Sequence, residues 1–357
     1  MNLSEDQLKQ IDALCRAMPI TRMVDYGMSR EAAALTHRIV REGRAWDIVL
    51  EELARQQEAT AHDEQESAAA RELWHAAAAS LIFAQMAFNA DGERKRYLYQ
   101  QMTRCFTRFA ALSEFPVSRI EMPYRRGRLF GWHFHTNAAA VAGSVIIFGG
   151  MSGWSTAYRS MAEAVCRRGL DCLLVDGPGQ GDSRLEGGIR ADADLTSGFS
   201  RFVDWIQERT PGRRIGLWGN SYGGLLAALT ATRDRRIAAC CINGGPMLTQ
   251  LPPFRTAQEQ FAAMFGESDP VALTAILSAL AFDSQHAPLD CPTLVLEGGA
   301  DPLVPPGAQR GFLVGNSHPL SRVETWLDGE HTIYNHSAER NALTTAWFAE
   351  ALATSAR

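Results

Sequence analysis

The sequence predicts an α/β protein: a mostly parallel sheet covered by helices on both faces, preceded by an all-helical domain. Three observations predict it. From residue 6 to about 112 the chain has no proline except Pro19, few β-branched clusters and many Ala, Glu, Arg and Gln, a composition that favours helices. After Phe115 and Pro116, short apolar runs alternate with helix-forming ones, the rhythm of strands joined by crossover helices. Several of the apolar runs end in glycine-rich or acidic turns, and the C-terminal ends of parallel strands are where such sheets gather their chemistry.

The elements follow in order. Residues 1–115 form the helical domain and 116–357 the α/β domain. In the last N-terminal helix, Leu98, Met102, Cys105, Phe106 and Phe109 recur at helical spacing and mark a buried face, with Asp91 and Gly92 as the break before it. Ile120 to Tyr124 and Leu129 to His135 alternate as a hairpin around Arg126 and Gly127, with Arg125, Arg126 and Arg128 solvated at the turn. Strands follow at Ser144 to Phe148, Leu170 to Val175, Ile215 to Trp218, Ile237 to Ile242, Cys291 to Glu297 and Val323 to Leu327. Cys240 and Cys241 read as buried strand residues. Phe199, Val203 and Ile206 form a helical stripe that stops before Pro211. Residues 247–285 break the rhythm with two helical patterns around Phe261 and Leu273, expected to complete a lid.

The most informative segment is Gly219-Asn220-Ser221-Tyr222-Gly223, between a strand and the helix-forming run Leu225 to Thr230. A serine on a sharp strand-to-helix turn is held in a strained conformation with its hydroxyl exposed, and the flanking glycines let the helix pack behind the strand. A serine hydroxyl also needs a base, and the base needs a third group to fix its tautomer. Asp301 ends the turn Gly298-Gly299-Ala300 after one strand, and His331 ends Asp328-Gly329-Glu330 after another. The rivals are His336 for the base and Asp328 or Glu330 for the carboxylate; a sequence neighbour of His331 can seldom reach its distal ring nitrogen. The chain order Ser, Asp, His is that of the α/β-hydrolases.

An oxyanion needs N–H donors in place before reaction. The first candidate is Tyr222, the residue after the nucleophile. The second lies in the turn Gly149-Gly150-Met151-Ser152-Gly153, where Met151 is the candidate and Gly150 the alternative. This turn lacks the Lys-Ser/Thr ending of a phosphate-binding loop.

Composition excludes several classes. A net charge of −5 with no long basic run argues against a nucleic-acid partner. Met1 to Gln10 is polar and lacks the apolar core of a signal peptide, and the apolar stretch Ala76 to Phe88 is too short to span a bilayer, so no membrane association and a cytoplasmic location are expected. Seven cysteines without a C-x-x-C pair fit reduced thiols, with no disulfide framework, metal or cofactor expected. The expected partner is a small-molecule substrate. A homodimer is a further option, served by an exposed apolar patch on the N-terminal helices, although helical stripes are more often intramolecular core.

Together, Gly149-Gly150-Met151, Asp176-Gly177-Pro178-Gly179-Gln180-Gly181, the Ser221 elbow and the Asp301 and His331 turns resemble the α/β-hydrolase superfamily over residues 117–357. The helical N-terminal region, Phe265-Gly266, Cys291-Pro292 and Asp301-Pro302-Leu303-Val304-Pro305 are similar to the branch containing FrsA-like esterases and dihydroxypseudooxynicotine hydrolase. The resemblance implies an α/β-hydrolase fold with a helical cap and a serine hydrolase of small esters or of activated ketones, where a carbon–carbon bond breaks. An acyltransferase or cyclase with the same triad, and a non-catalytic binding or regulatory protein on this fold, are the alternatives.

Overall fold

The computed structural model describes residues 4–253 and 255–353; Met1 to Leu3 of the polar N-terminal stretch lie outside them. The chain divides into two compact units, Met1–Pro116 and Val117–Arg357.

The first unit is helical: α1 (Glu5–Ala17), α2 (Ile20–Asp25), α3 (Arg30–Arg41), α4 (Trp46–Asp63), α5 (Ser67–Met86) and α6 (Glu93–Ala111). Ser4 opens α1 with a reciprocal cap, its hydroxyl accepting from the Gln7 N–H while the Gln7 side chain accepts from the Ser4 N–H. Ser29 caps α3 through the Ala32 N–H. Helices α4 and α6 both pack on α5, whose residues from Ala77 to Met86 are all buried, as expected of a helix without a polar face. Leu98, Met102, Cys105, Phe106 and Phe109 are buried on α6, which starts directly after Gly92. Lys95, also buried, donates to Gln85 Oε1 at 2.6 Å and to the Phe88 carbonyl at 2.8 Å. It thereby places a cation where the end of α5 leaves carbonyls without helical partners.

The second unit is an eight-stranded sheet with strands β1 (Val117–Tyr124), β2 (Gly127–Phe134), β3 (Ser144–Phe148), β4 (Asp171–Asp176), β5 (Ile215–Asn220), β6 (Ile237–Asn243), β7 (Thr293–Gly298) and β8 (Arg322–Trp326). Their spatial order is β1-β2-β4-β3-β5-β6-β7-β8. The pairs β1–β2 and β2–β4 are antiparallel and all others parallel. Helices α7 (Arg159–Cys166), α8 (Gly181–Leu185), α9 (Leu195–Arg209), α10 (Tyr222–Arg233), α11 (Arg255–Phe265), α12 (Pro270–Ala279) and α13 (Ser337–Ala353) complete the unit. Successive residues of β5 serve opposite faces. Ile215 and Leu217 join the core built with α9 and α10, whereas Trp218 meets Phe348 of α13 with ring centroids 6.1 Å apart. Burial on both faces is what turns the parallel strands into continuous apolar runs. Cys240 and Cys241 are both buried in β6. Among the described residues no helix is long and apolar enough to cross a membrane.

Three local expectations are corrected. Arg125 is not simply solvated at the hairpin turn: it pairs with Asp192 and with Asp194, the latter at 3.0 Å, because the segment before α9 brings two carboxylates to the turn. The alternation expected of Leu129 to His135 is absent, since Leu129 to Phe134 are all buried. Helices α7 and α8 both pack against β2, so it is not the half-exposed strand that alternation requires. The strand expected at Val323 to Leu327 stops at Trp326 and is only half-buried, with Leu327 89% exposed; β8 is the edge strand, where core packing ends.

Candidate active site

Each candidate residue sits just past a strand of the parallel part of the sheet: Ser221 after β5, Asp301 after β7 and His331 after β8. The elbow is set by backbone sterics. Ser221 has φ 59° and ψ −133°, a conformation that costs an L-residue about 1–3 kcal/mol. Its amide is held by the Asn243 carbonyl at 2.8 Å, and its own carbonyl accepts from Gly224 N–H at 2.7 Å. A Cβ on Gly219 would lie 2.0 Å from the Gly223 carbonyl oxygen, and one on Gly223 would lie 2.4 Å from that of Gly149. Both glycines are therefore demanded by close backbone approach. Gly223→Ala should force the Gly149 turn away from α10, destabilising the protein by about 1–3 kcal/mol as overpacking does; chemical denaturation of the variant checks this.

His331 Nδ1 lies 2.8 Å from Asp301 Oδ2, and His331 Nε2 lies 2.8 Å from Ser221 Oγ. A carboxylate only accepts, so Nδ1–H donates to Asp301; in the neutral imidazole Nε2 is then the acceptor for the Ser221 hydroxyl. The other Asp301 oxygen, Oδ1, accepts from the Leu303 and Val304 N–H groups at 2.7 and 3.1 Å, which locks the carboxylate in place. The Asp301 side chain is 1% exposed and that of His331 12%, so the charged end of the array is dry and the imidazole reaches the surface. His336 instead pairs with Asp328 at 2.9 Å.

Residues outside the expected set hold this geometry. Thr332 and Ile333, directly after His331, both have positive φ, 53° and 62°. The Thr332 carbonyl accepts from Asn243 Nδ2 at 3.0 Å and from Arg340 Nη1 at 2.9 Å, and Arg340 is fully buried. Gln180 Nε2 donates to the Gly149 and Gly150 carbonyls at 2.6 and 2.9 Å, while its Oε1 accepts from Gly177 N–H. Because a trans peptide points its C=O and the next N–H in opposite directions, Gln180 leaves the Met151 N–H on the far side of its peptide. A Cβ on Gly150 would lie 2.8 Å from the Tyr222 nitrogen, so the glycine turn lies against the start of α10. Phe261 of α11 packs edge-on against the Tyr222 ring with centroids 5.5 Å apart. The roles of Gln180 and Arg340 had no signal in the sequence beyond the Gly-rich motif around Gln180.

Asp176, at the end of β4, accepts from Ser155 N–H at 2.9 Å and Asp182 N–H at 3.0 Å. The buried Asp182 carboxyl is pushed up to about 7, first by burial and then by the Asp176 charge, against the opposing pull of Arg119 2.8 Å away. Its folded value exceeds the ordinary carboxylate one, so the native state holds the proton longer than the unfolded chain. This contribution to stability is complete below about pH 4 and is lost as the pH rises toward 7. Asp182→Asn should flatten that slope, as read by denaturation midpoints at pH 5 and pH 8.

Comparison with known proteins bears on the fold that carries these residues. The family model described as serine aminopeptidase, S33 (Hydrolase_4) matches residues 139–278. The solved structure of a 2,6-dihydroxy-pseudo-oxynicotine hydrolase superposes with a TM-score of 0.80 at 22% identity, covering 93% of this chain and 95% of that one. This chain has the α/β-hydrolase fold. The chain is also similar to the structure of AbyA5, with a TM-score of 0.69 at 18% identity over 84% of this chain and 88% of that one. No curated protein matches its sequence. The mostly parallel sheet with its β1–β2 hairpin, covered by helices, is the one the sequence predicts.

Proposed function

We propose that this protein is a serine hydrolase of the α/β-hydrolase family that forms an acyl-enzyme on Ser221. Its substrate is a small molecule carrying an ester-like bond or the carbon–carbon bond of an activated β-dicarbonyl ketone. The observation that carries the reading is the unbroken hydrogen-bonded line from Asp301 through His331 to Ser221. In this mechanism Ser221 Oγ attacks the substrate carbonyl carbon as its proton passes to His331 Nε2, and Asp301 steadies the imidazolium. The Tyr222 and Met151 N–H groups receive the oxyanion, with Gly150 as the alternative to Met151. The tetrahedral adduct collapses, the bond to the leaving group breaks, and His331 returns its proton to the departing oxygen, sulfur or carbon. Water then repeats the sequence on the acyl-enzyme, releasing the acid and restoring Ser221. General-base assistance supplies about 10²–10⁴-fold and one oxyanion donor about 10²–10³-fold.

The carbon–carbon alternative draws support from the likeness to the 2,6-dihydroxy-pseudo-oxynicotine hydrolase, which spans nearly the whole chain. A panel of aryl esters, thioesters and β-diketones separates the leaving-group classes, and a fluorophosphonate reports the nucleophile. The wild-type protein should be labelled on Ser221 and turn over one class. Labelling absent from the wild type, or wild-type turnover by Ser221→Ala, overturns the proposal. Product analysis with added alcohols and amines distinguishes hydrolysis from acyl transfer.

A further inference from the structure

The pairing of β2 with β4 brings together three side chains that the Ser221 chemistry does not use. Phe134 is opposite Cys172 in the antiparallel register, so the next positions along, His135 and Asp171, face each other across the two strands. His133 lies two residues back on the same face of β2. One ligand atom from each of His133, His135 and Asp171 falls within 4.8 Å of the other two, the only such group of three or more among the described residues. The two imidazole centroids are 3.7 Å apart, and His133 Nε2 lies 3.8 Å from Asp171 Oδ2. That separation is too long for a hydrogen bond. It is close to the spacing of about 3.4 Å between donors around a tetrahedral ion with bonds near 2.1 Å.

The surroundings hold two of the three donors in place. Asp171 Oδ1 accepts from the Thr136 N–H at 3.0 Å, which turns Oδ2 toward His133. The ring of Trp205 on α9 packs edge-on against His133 at 5.2 Å, fixing the plane of that imidazole. His133 and Asp171 are buried, whereas His135 is exposed and opens the group to solvent. A carboxylate and an imidazole held by neighbours, with a second, exposed imidazole beside them, are the parts of a metal site with supporting contacts.

The geometry points to a binding site for one divalent transition-metal ion of the zinc type, held by His133, His135 and Asp171 with water completing its shell. Two imidazoles and one carboxylate suit zinc or cobalt better than calcium or magnesium, which prefer all-oxygen shells. The expectation of no metal rested on cysteine spacing, which does not register histidines brought together by strand pairing. The site lies at the opposite end of the strands from the elbow. Ser144 pairs with both Asp171 and Ile215, and Ser221 lies six residues beyond Ile215, about 20 Å at strand rise. A cation here would tie β2 to β4 and leave the acyl-transfer chemistry untouched, so the inference is independent of the proposed activity.

Titration of the purified full chain with Co²⁺, followed by its visible absorption, and with Zn²⁺, followed by calorimetry, tests the site. The wild type should take up one ion, and Zn²⁺ should raise its unfolding temperature. His135→Gln, a change at an exposed position, should weaken binding at least tenfold and remove the thermal shift, with Ser221 labelling unchanged. Asp171→Asn should weaken binding likewise. Equal uptake by wild type and His135→Gln, or no uptake by the wild type, overturns the assignment.

Discussion

Ser221→Gly should abolish turnover and stabilise the protein relative to Ser221→Ala. Both variants lose the hydroxyl and its contact with His331, so their catalytic loss should be the same, about 10⁴-fold or more in kcat/KM. They differ in the backbone. At φ 59° and ψ −133° alanine keeps the strain that serine bears, whereas glycine adopts such angles without a Cβ clash. Strain of about 1–3 kcal/mol, less the ~0.5–1 kcal/mol of extra chain entropy that glycine loses on folding, leaves a gain of about 1 kcal/mol. Parallel denaturant titrations of the two variants measure it. A glycine variant no more stable than the alanine variant would mean that the elbow stores no strain, and the account of why the hydroxyl is presented would fail.

Asp301→Asn should lower kcat by about 10⁴-fold with little change in stability. The reason lies in which oxygen is already committed. Oδ1 accepts from two backbone N–H groups, so in the variant the remaining oxygen must occupy that position and the amide nitrogen must take the place of Oδ2, facing His331 Nδ1. An amide NH₂ donates, which forces Nδ1 to accept and moves the imidazole proton to Nε2. Nε2 can then no longer take the proton of Ser221. The kcat of the purified variant, together with the ¹⁵N shifts of His331, checks both the rate and the tautomer; activity within tenfold of wild type would remove Asp301 from the mechanism.

The sequence carried the fold well because parallel strands covered on both faces leave continuous apolar runs, and β3, β5 and β6 emerge close to where those runs lie. It was weaker where that physics changes. Helix α13 mixes buried Arg340, Asn341, Thr344 and Thr345 with Trp347 and Phe348, so polar residues on its inward face hide the helical period. The edge position of β8 and the interior position of β2 depend on strand order, which no local pattern encodes.

What the sequence by itself determined is the identity of the candidate side chains. A serine between glycines after a strand, and an aspartate and a histidine after two later strands, are local signals, because turn chemistry at strand ends is written in neighbouring residues. The tertiary structure alone decided their distances, the commitment of each Asp301 oxygen, and the supports from Gln180, Asn243 and Arg340. It also decided that His133 and His135 meet Asp171. These facts depend on strand order and register, which bring together residues tens to more than a hundred positions apart, and such contacts arise from the packing of the whole sheet rather than from any one segment.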